Sequence, residues 1–163
     1  MGYFRVMENL LVRKASLKDL PTLKAFEQQI ITAERPFDPT IRPDPVSYYS
    51  LEELIKDETS QVVVAIADNE IVASGSARVK KARHYLDHVD YAYLGFMYTK
   101  PEYRGKGINK SIIDELLIWA KEQDLYEVRL TVYHDNHPAI KAYEKTGFKS
   151  HLNEMRLRLN SDI

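Results

Sequence analysis

The chain has 163 residues, enough for one domain around a single core, and 44% of them are apolar, as in a globular protein. Its 23 Lys and Arg balance 24 Asp and Glu to a net charge of −1, and the basic run Arg78, Lys80, Lys81, Arg83 is followed at once by Asp87 and Asp90, so a nucleic-acid-binding surface is not expected. The absence of cysteine excludes disulfides, thiolate metal sites and a Cys nucleophile; with no apolar run of membrane-spanning length and no signal-like start, a cytoplasmic protein without membrane contact is expected.

The residues before Met7 read as a start-site or disordered extension, over about 1–8, ahead of one domain. Leu10 to Lys14 alternates as a first strand. Ser16 with Asp19 resembles a capping box, Pro21 fits a first helical turn, and Leu20, Leu23, Phe26 and Ile30 recur at helical spacing. Pro36, Pro39, Pro43 and Pro45 exclude regular helix or central strand from Arg35 to Pro45. Tyr48 to Asp57 reads as a second helix.

Gln61 to Ala67 is a continuous apolar run, as in a strand buried on both faces; Asp68-Asn69 makes a turn; and Ile71 to Lys81 is the partner strand, with a bulge or close approach at Gly75. A further strand runs from Asp90 to Thr99, and Pro101 to Gly105 is a turn. Ile108 to Gln123 carries Ile108, Ile112, Ile113, Leu116, Leu117 and Ala120 on one helical face. Glu127 to Tyr133 alternates as a strand, Pro138 opens a short helix ending at Gly147, and Met155, Leu157 and Leu159 alternate with Arg156 and Arg158 in a last strand. A strand–helix–strand passage through Ile108 to Gln123 requires a parallel crossover, which makes the fold α/β with a mixed sheet.

The segment T-K-P-E-Y-R-G-K-G-I-N, Thr99 to Asn109, joins a strand to the N-terminus of the strongest predicted helix. Gly105 and Gly107 let successive backbone N–H groups turn inward, the helix end adds its dipole, and Arg104 and Lys106 add charge, which suits a phosphate or diphosphate. A P-loop would need Lys after the final Gly, where Ile108 stands, and a dinucleotide fingerprint would need a third Gly, where Lys110 stands. The loop resembles instead the acetyl-CoA diphosphate loop of the GNAT (GCN5-related) N-acetyltransferases, in which Arg or Gln is followed three positions on by Gly and, after one more residue, by Gly or Ala. Arg104 and Gly107 match, and Asn109 departs at the last position. A second stretch, D-N-H-P-A-I-K-A-Y-E-K-T-G-F, resembles the signature near the end of the same domains through Asn136, Ala139, Tyr143, Gly147 and Phe148.

This resemblance implies one GNAT domain over residues 1–163, with a mixed, mostly antiparallel sheet of about six to seven strands splayed at a parallel pair and flanked by about four helices. It implies acetyl-CoA as co-substrate, no metal, and an amine as acceptor. Phe96, Met97, Tyr98 and Thr99 would offer backbone groups to the pantetheine arm, with Gly95 at a bulge, and an amide there would polarise the acetyl carbonyl. Arg104, Gly105, Lys106, Gly107, Ile108 and Asn109 would hold the diphosphate, Asn136 would bind the cofactor arm or cap its helix, and Tyr143 would serve as general acid or pack on the cofactor.

No carboxylate stands on the strand Y-A-Y-L-G-F-M-Y, where many relatives place a base, which leaves Glu34, Asp38, His84, His88, Asp90 or a water chain. His84 and His88, four apart, would suit a metal on a helix or line an amine pocket in a loop. Tyr48, Tyr49, Tyr85, Tyr91 and Tyr93 suit an aromatic wall for an amine or core packing, and the prolines suit a preformed wall of the acceptor site. A small-molecule amine is the expected acceptor, with a protein N-terminus or lysine, a longer acyl donor and a non-catalytic acyl-CoA-binding module as alternatives. A homodimer fits the family.

Overall fold

The structure, a computed structural model, describes residues 9–161, so the expectation of an extension over 1–8 lies outside the described residues. Strand β1 (Leu11–Lys14) leads through a single 3-10 turn into helix α1 (Leu20–Glu34). The Asp19 carboxylate accepts the Ser16 N–H at 2.8 Å and pairs with the Arg13 guanidinium at 2.8 and 2.9 Å, which realises the expected box and adds a salt bridge to it. That guanidinium, more than any other group, holds the Asp19 carboxyl below its usual range. Helix α1 buries Leu23, Phe26 and Ile31, with Leu20 and Ile30 partly covered.

Helix α2 is shorter than its periodicity predicts and spans Leu51–Lys56. The missing turn has a physical cause. The Tyr49 N–H is held by the Glu27 carboxylate at 2.9 Å and Ser50 is non-helical at ψ 87°, so Tyr48 and Tyr49 stay in the preceding loop.

Strand β2 (Ser60–Ala67) buries Val62, Val63, Val64 and Ala65 on both faces, as its unbroken apolar run requires. It turns at Asp68 and Asn69, both at positive φ (52° and 63°), into β3 (Glu70–Lys81), the geometry of a tight hairpin. Strand β4 covers Asp90–Thr99, as its sequence predicts. The sheet order is β1-β2-β3-β4-β5; the first three pairings are antiparallel and β4 runs parallel to β5 (Val128–Arg129) after the crossover through helix α3 (Ile108–Glu122).

One face of the sheet packs under α1 and α2 through Val62, Val64 and Phe96 with Leu23, Phe26 and Leu51. Helix α3 lies on the other face and fully buries Ile112, Ile113 and Leu116, each of which contributes about 1.5–3 kcal/mol of hydrophobic stabilisation. Gly75 is the point of close approach there: a Cβ would stand 2.4 Å from Ile112 Cγ2. The bulge lies on the partner strand. Ser74 pairs with Tyr98 and Ser76 with Gly95, so two residues of β4, Phe96 and Met97, oppose Gly75 alone. Phe96 takes up the strain at φ 53°.

Two expected strands are corrected. Strand β5 has two residues rather than the seven of Glu127–Tyr133. It pairs with β4 only at Ala92↔Val128 and Tyr93↔Arg129, immediately before the bulge bends β4. Met155 to Leu159 forms no strand: Met155, Leu157 and Leu159 are 92%, 87% and 79% exposed, and a strand without a pairing partner is not stable. Among the described residues the sheet therefore has five strands with four α-helices, an α/β GNAT-type arrangement with fewer strands than expected.

The described chain divides into two compact units at Thr131/Val132. The second contains α4 (His137–Lys145), capped by Asn136, whose Oδ1 accepts the Ala139 N–H at 3.4 Å, with Gly147 past its end at φ 104°.

Candidate active site

The first unit brings most of the predicted residues together around one strand. β4 has β3 on one edge along its length, while its other edge meets β5 only as far as Tyr93. Beyond Tyr93 that edge, which runs through Phe96, Met97, Tyr98 and Thr99, has no ladder among the described residues, and its backbone groups are suited to an extended ligand. The Phe96 carbonyl accepts the Ser74 hydroxyl at 3.1 Å, and the Phe96 N–H donates to the Tyr49 hydroxyl at 3.3 Å, a long and therefore weak bond. The Tyr49 ring meets Phe96 edge-on at 5.6 Å. Burial is the main reason that the Tyr49 hydroxyl holds its proton more tightly than a free phenol.

Tyr49 is placed by a carboxylate with no motif around it. Glu27 is 3% exposed and accepts the Tyr49 N–H and the Ser47 hydroxyl, at 2.9 and 3.0 Å. Gln28 donates to the Val46 carbonyl at 2.9 Å, and Arg35 donates to the Arg42 carbonyl and Asp44, both at 2.9 Å. The loop is thus pinned by Glu27 and Gln28 of α1 and by Arg35 just past its end. Glu27→Ala leaves a loop amide without its acceptor and should lower unfolding free energy by ~1–3 kcal/mol; a wild-type urea midpoint would contradict the clamp.

The turn after β4 holds the residues expected to meet a diphosphate. Lys100 contacts Glu70 at 3.6 Å, and the Tyr103 hydroxyl donates to Asp68 at 2.8 Å, a bond that pushes its pKa up to about 12. The Arg104 Nε donates to the Thr99 carbonyl at 3.0 Å, and Lys106 stands 5.3 Å from the Tyr103 ring. Gly105 and Gly107 adopt φ 76° and 80°, which an L side chain disfavours, and a Cβ at either would touch nothing within 4 Å. Gly107 is the N-cap of α3, and Ser111 is the first amide to bond back into it, to Gly107 O at 3.2 Å. The amides of Ile108, Asn109 and Lys110 are the first-turn donors at the positive end of the helix dipole. Arg104, Gly105 and Lys106 are exposed and Asn109 is half-buried.

The five candidate bases separate clearly. Glu34 is half-buried at the end of α1; burial raises its pKa, and a hydrogen bond from Tyr48 only partly opposes this. Asp38 lies close enough to raise it further. Asp90 pairs with Lys81 at 3.2 Å. His88 sits between Asp87 at 2.8 Å and Arg129 at 2.7 Å, and His84 meets Tyr85 edge-on at 5.5 Å. The segment from His84 to His88 is a loop, so the i,i+4 helical pair does not form, and no group of three or more metal-ligating side chains occurs among the described residues.

The tyrosines also separate. Tyr49 belongs to the site and Tyr85 is 64% exposed, while Tyr91 and Tyr93 already carry the protein's own cations, Arg129 at 4.0 Å and Lys80 at 3.8 Å. In the second unit Tyr143 is half-buried and edge-on to Phe148 at 6.0 Å. Sequence reasoning missed the Tyr49–Phe96 bond and the Glu27 clamp. Their partners lie 20 to 47 positions apart, and no spacing rule links them.

The model of the acetyltransferase (GNAT) family matches residues 27–148. The spermidine N(1)-acetyltransferase of Thermoplasma acidophilum is 26% identical over 148 residues, covering 85% of this chain and 87% of that protein. A mutant of the BH1408 protein from Bacillus halodurans has a similar structure, with a TM-score of 0.83 at 19% identity, covering 92% of this chain and 99% of that one. A predicted acetyltransferase from Clostridium acetobutylicum, solved with acetyl-CoA, superposes with a TM-score of 0.68 at 21% identity, covering 91% of this chain and 96% of that one. Among the described residues no helix is long and apolar enough to cross a membrane.

Proposed function

The chain belongs to the acetyltransferase (GNAT) family, and from that premise we propose that it transfers the acetyl group of acetyl-CoA to the primary amine of a small molecule. The observation that carries this reading is the half-paired strand β4, which ends at a glycine turn opening directly onto the N-terminus of α3. Phosphates fit the first-turn amides and the positive φ turn, and Arg104 and Lys106 supply charge beside them. The pantetheine arm adds to the open edge of β4, and its acetyl carbonyl takes the Phe96 amide in exchange for the weak bond to Tyr49. The family match reaches into both compact units, and we take them as parts of one GNAT domain.

Chemistry then follows from charge. An alkyl ammonium with a pKa of ~10.4 must lose a proton before it can attack. Glu34 is our choice of base, because burial makes it a better proton acceptor than an exposed carboxylate and it adjoins Tyr48 and Tyr49. The neutral nitrogen attacks the acetyl carbon, the oxyanion gathers at the Phe96 amide, and the C–S bond breaks as Tyr143 gives its proton to the leaving thiolate. The ammonium gives one proton to Glu34 before attack; the attached nitrogen loses its second as the C–S bond breaks, and that proton, carried by solvent, restores Tyr143, so the one net proton of the reaction leaves from Glu34. Tyr143→Phe should lower kcat by ~10²-fold or more with coenzyme A affinity near native; an unchanged kcat would remove Tyr143 from this role.

Thiol release from acetyl-CoA, measured across alkylamines, polyamines, amino sugars and peptides, tests the reading as a whole. A polyamine belongs in the panel because the Thermoplasma relative is named for spermidine. Small-molecule turnover supports the proposal, whereas peptide-only turnover would move the acceptor to a protein N-terminus or lysine. Coenzyme A binding without turnover on any amine would make the chain a non-catalytic binding module. A homodimer, common in the family, and a cytoplasmic location complete the proposal.

A further inference from the structure

Ahead of the bulge at Phe96–Met97, β4 alternates regularly. Gly95 faces Tyr49, since a Cβ there would lie 3.4 Å from the Tyr49 hydroxyl and 3.7 Å from the Ser76 hydroxyl. Alternation then places Tyr93 and Tyr91 on this same face, and register places Arg78 beside Tyr93 and Lys80 beside Tyr91. The two cations converge on one ring: Lys80 Nζ is 3.8 Å and Arg78 Cζ 5.7 Å from the Tyr93 centroid. Neither has a carboxylate partner among the described residues. The nearby carboxylates stand by other cations, Asp90 at 3.2 Å from Lys81, though its Oδ1 accepts no hydrogen bond, and Glu127 at 3.3 Å from Arg129. Two like charges held over one aromatic ring repel each other, and an anion between them would relieve that repulsion. Burial and the neighbouring Arg78 accordingly hold the Lys80 ammonium pKa below its usual value.

We infer that the acceptor carries an anionic group, a carboxylate or phosphate, which Arg78 and Lys80 bind while its amine is held at Glu34 and Tyr49. The Tyr93 row lies two residues from Gly95, about 7 Å along the strand. An amine and an anion separated by roughly four to six chain atoms span that distance. The acidic residues Glu34 and Asp38 near Tyr48 and Tyr49 suit the ammonium end, so the site is dipolar and favours a zwitterionic acceptor over a polycation. This rests on the acetyl transfer proposed above and names the acceptor class for that same site.

Three amines of equal length test it: hexylamine, aminohexanoate and diaminohexane, each with saturating acetyl-CoA. The wild-type protein should use aminohexanoate with a kcat/KM roughly tenfold or more above that of either other amine, mainly through KM. In R78Q/K80Q this advantage over hexylamine should fall by roughly tenfold, with Tm and coenzyme A affinity retained, because both side chains are at least partly solvent-exposed. K56Q, on the outer side of α2, should keep the wild-type ratio. Preference for diaminohexane or hexylamine by the wild type, or an undiminished aminohexanoate advantage in R78Q/K80Q, overturns the inference and leaves acetyl transfer standing. No transfer to any of the three amines or to the wider panel overturns acetyl transfer itself, and the inference with it.

Discussion

Gly107→Glu is expected to weaken coenzyme A binding by ~10²–10⁴-fold, the equivalent of losing two charge-assisted hydrogen bonds of about 1.5–3 kcal/mol each. Two effects act together. Gly107 holds φ 80°, a conformation that costs an L residue ~1–2 kcal/mol. The new carboxylate would also enter the anion site at the N-terminus of α3, compete for the first-turn amides and repel a diphosphate. Gly107→Asn separates the two effects, because asparagine tolerates positive φ and brings no charge. It should keep most of the affinity while Gly107→Glu loses it, with both variants folded, since a Cβ at this position meets nothing within 4 Å. Equal affinity in wild type and Gly107→Glu would remove the diphosphate from this turn.

The second large effect is on stability. At Gly75 an added Cβ would stand 2.4 Å from Ile112 Cγ2, 2.9 Å from Met97 Sδ and 3.2 Å from Leu116 Cδ1, all in the contact between β3 and α3. Met97 and Leu116 can yield at their flexible ends, but Ile112 is β-branched and fully buried. Gly75→Ala should therefore cost ~1–3 kcal/mol, or a Tm lower by ~2–12 °C, and Gly75→Val more. Lifting α3 also moves the glycine turn at its N-terminus, so on the proposed reading coenzyme A affinity should fall with stability. Gly95→Ala is the thermal control, because its Cβ would make contacts of 3.4 and 3.7 Å and φ there needs no glycine. Differential scanning calorimetry on the three variants decides the matter; a native Tm for Gly75→Val would mean that α3 does not sit this close to the sheet.

These two glycines also show what a sequence can reveal. Gly107 was legible because strand, turn and helix patterns converge on it and the turn resembles a family loop. Gly75 was legible as an anomaly within an apolar strand, but the helix that crowds it is 37 positions away and only the fold names it. Asp90–Thr99 and the helix from Ile108 were read almost residue for residue, because each is decided by its own periodicity. The misread elements depend on partners. Tyr48–Ser50 has helical periodicity, yet Glu27 holds the Tyr49 amide out of the helix. The alternation of Glu127–Tyr133 and of Met155–Leu159 is a property of those segments alone, whereas a strand exists only where a neighbour accepts its hydrogen bonds.

The candidate site follows the same division. The cofactor half, Phe96 to Thr99 and Arg104 to Asn109, could be read from contiguous residues. For the proposed acceptor half, Glu34, Tyr49 and Tyr93 were legible only as candidates without a motif, and Arg78 and Lys80 not as site residues at all, because these residues come from α1, a loop, β3 and β4 and only the fold relates them.

Titration calorimetry of the wild-type protein with coenzyme A tests the central claim most directly. The expected result is saturable binding with a one-to-one stoichiometry that Gly107→Glu abolishes and Gly107→Asn largely retains. Absence of any binding heat up to about millimolar coenzyme A, at two temperatures so that a chance zero enthalpy is not mistaken for silence, would contradict it.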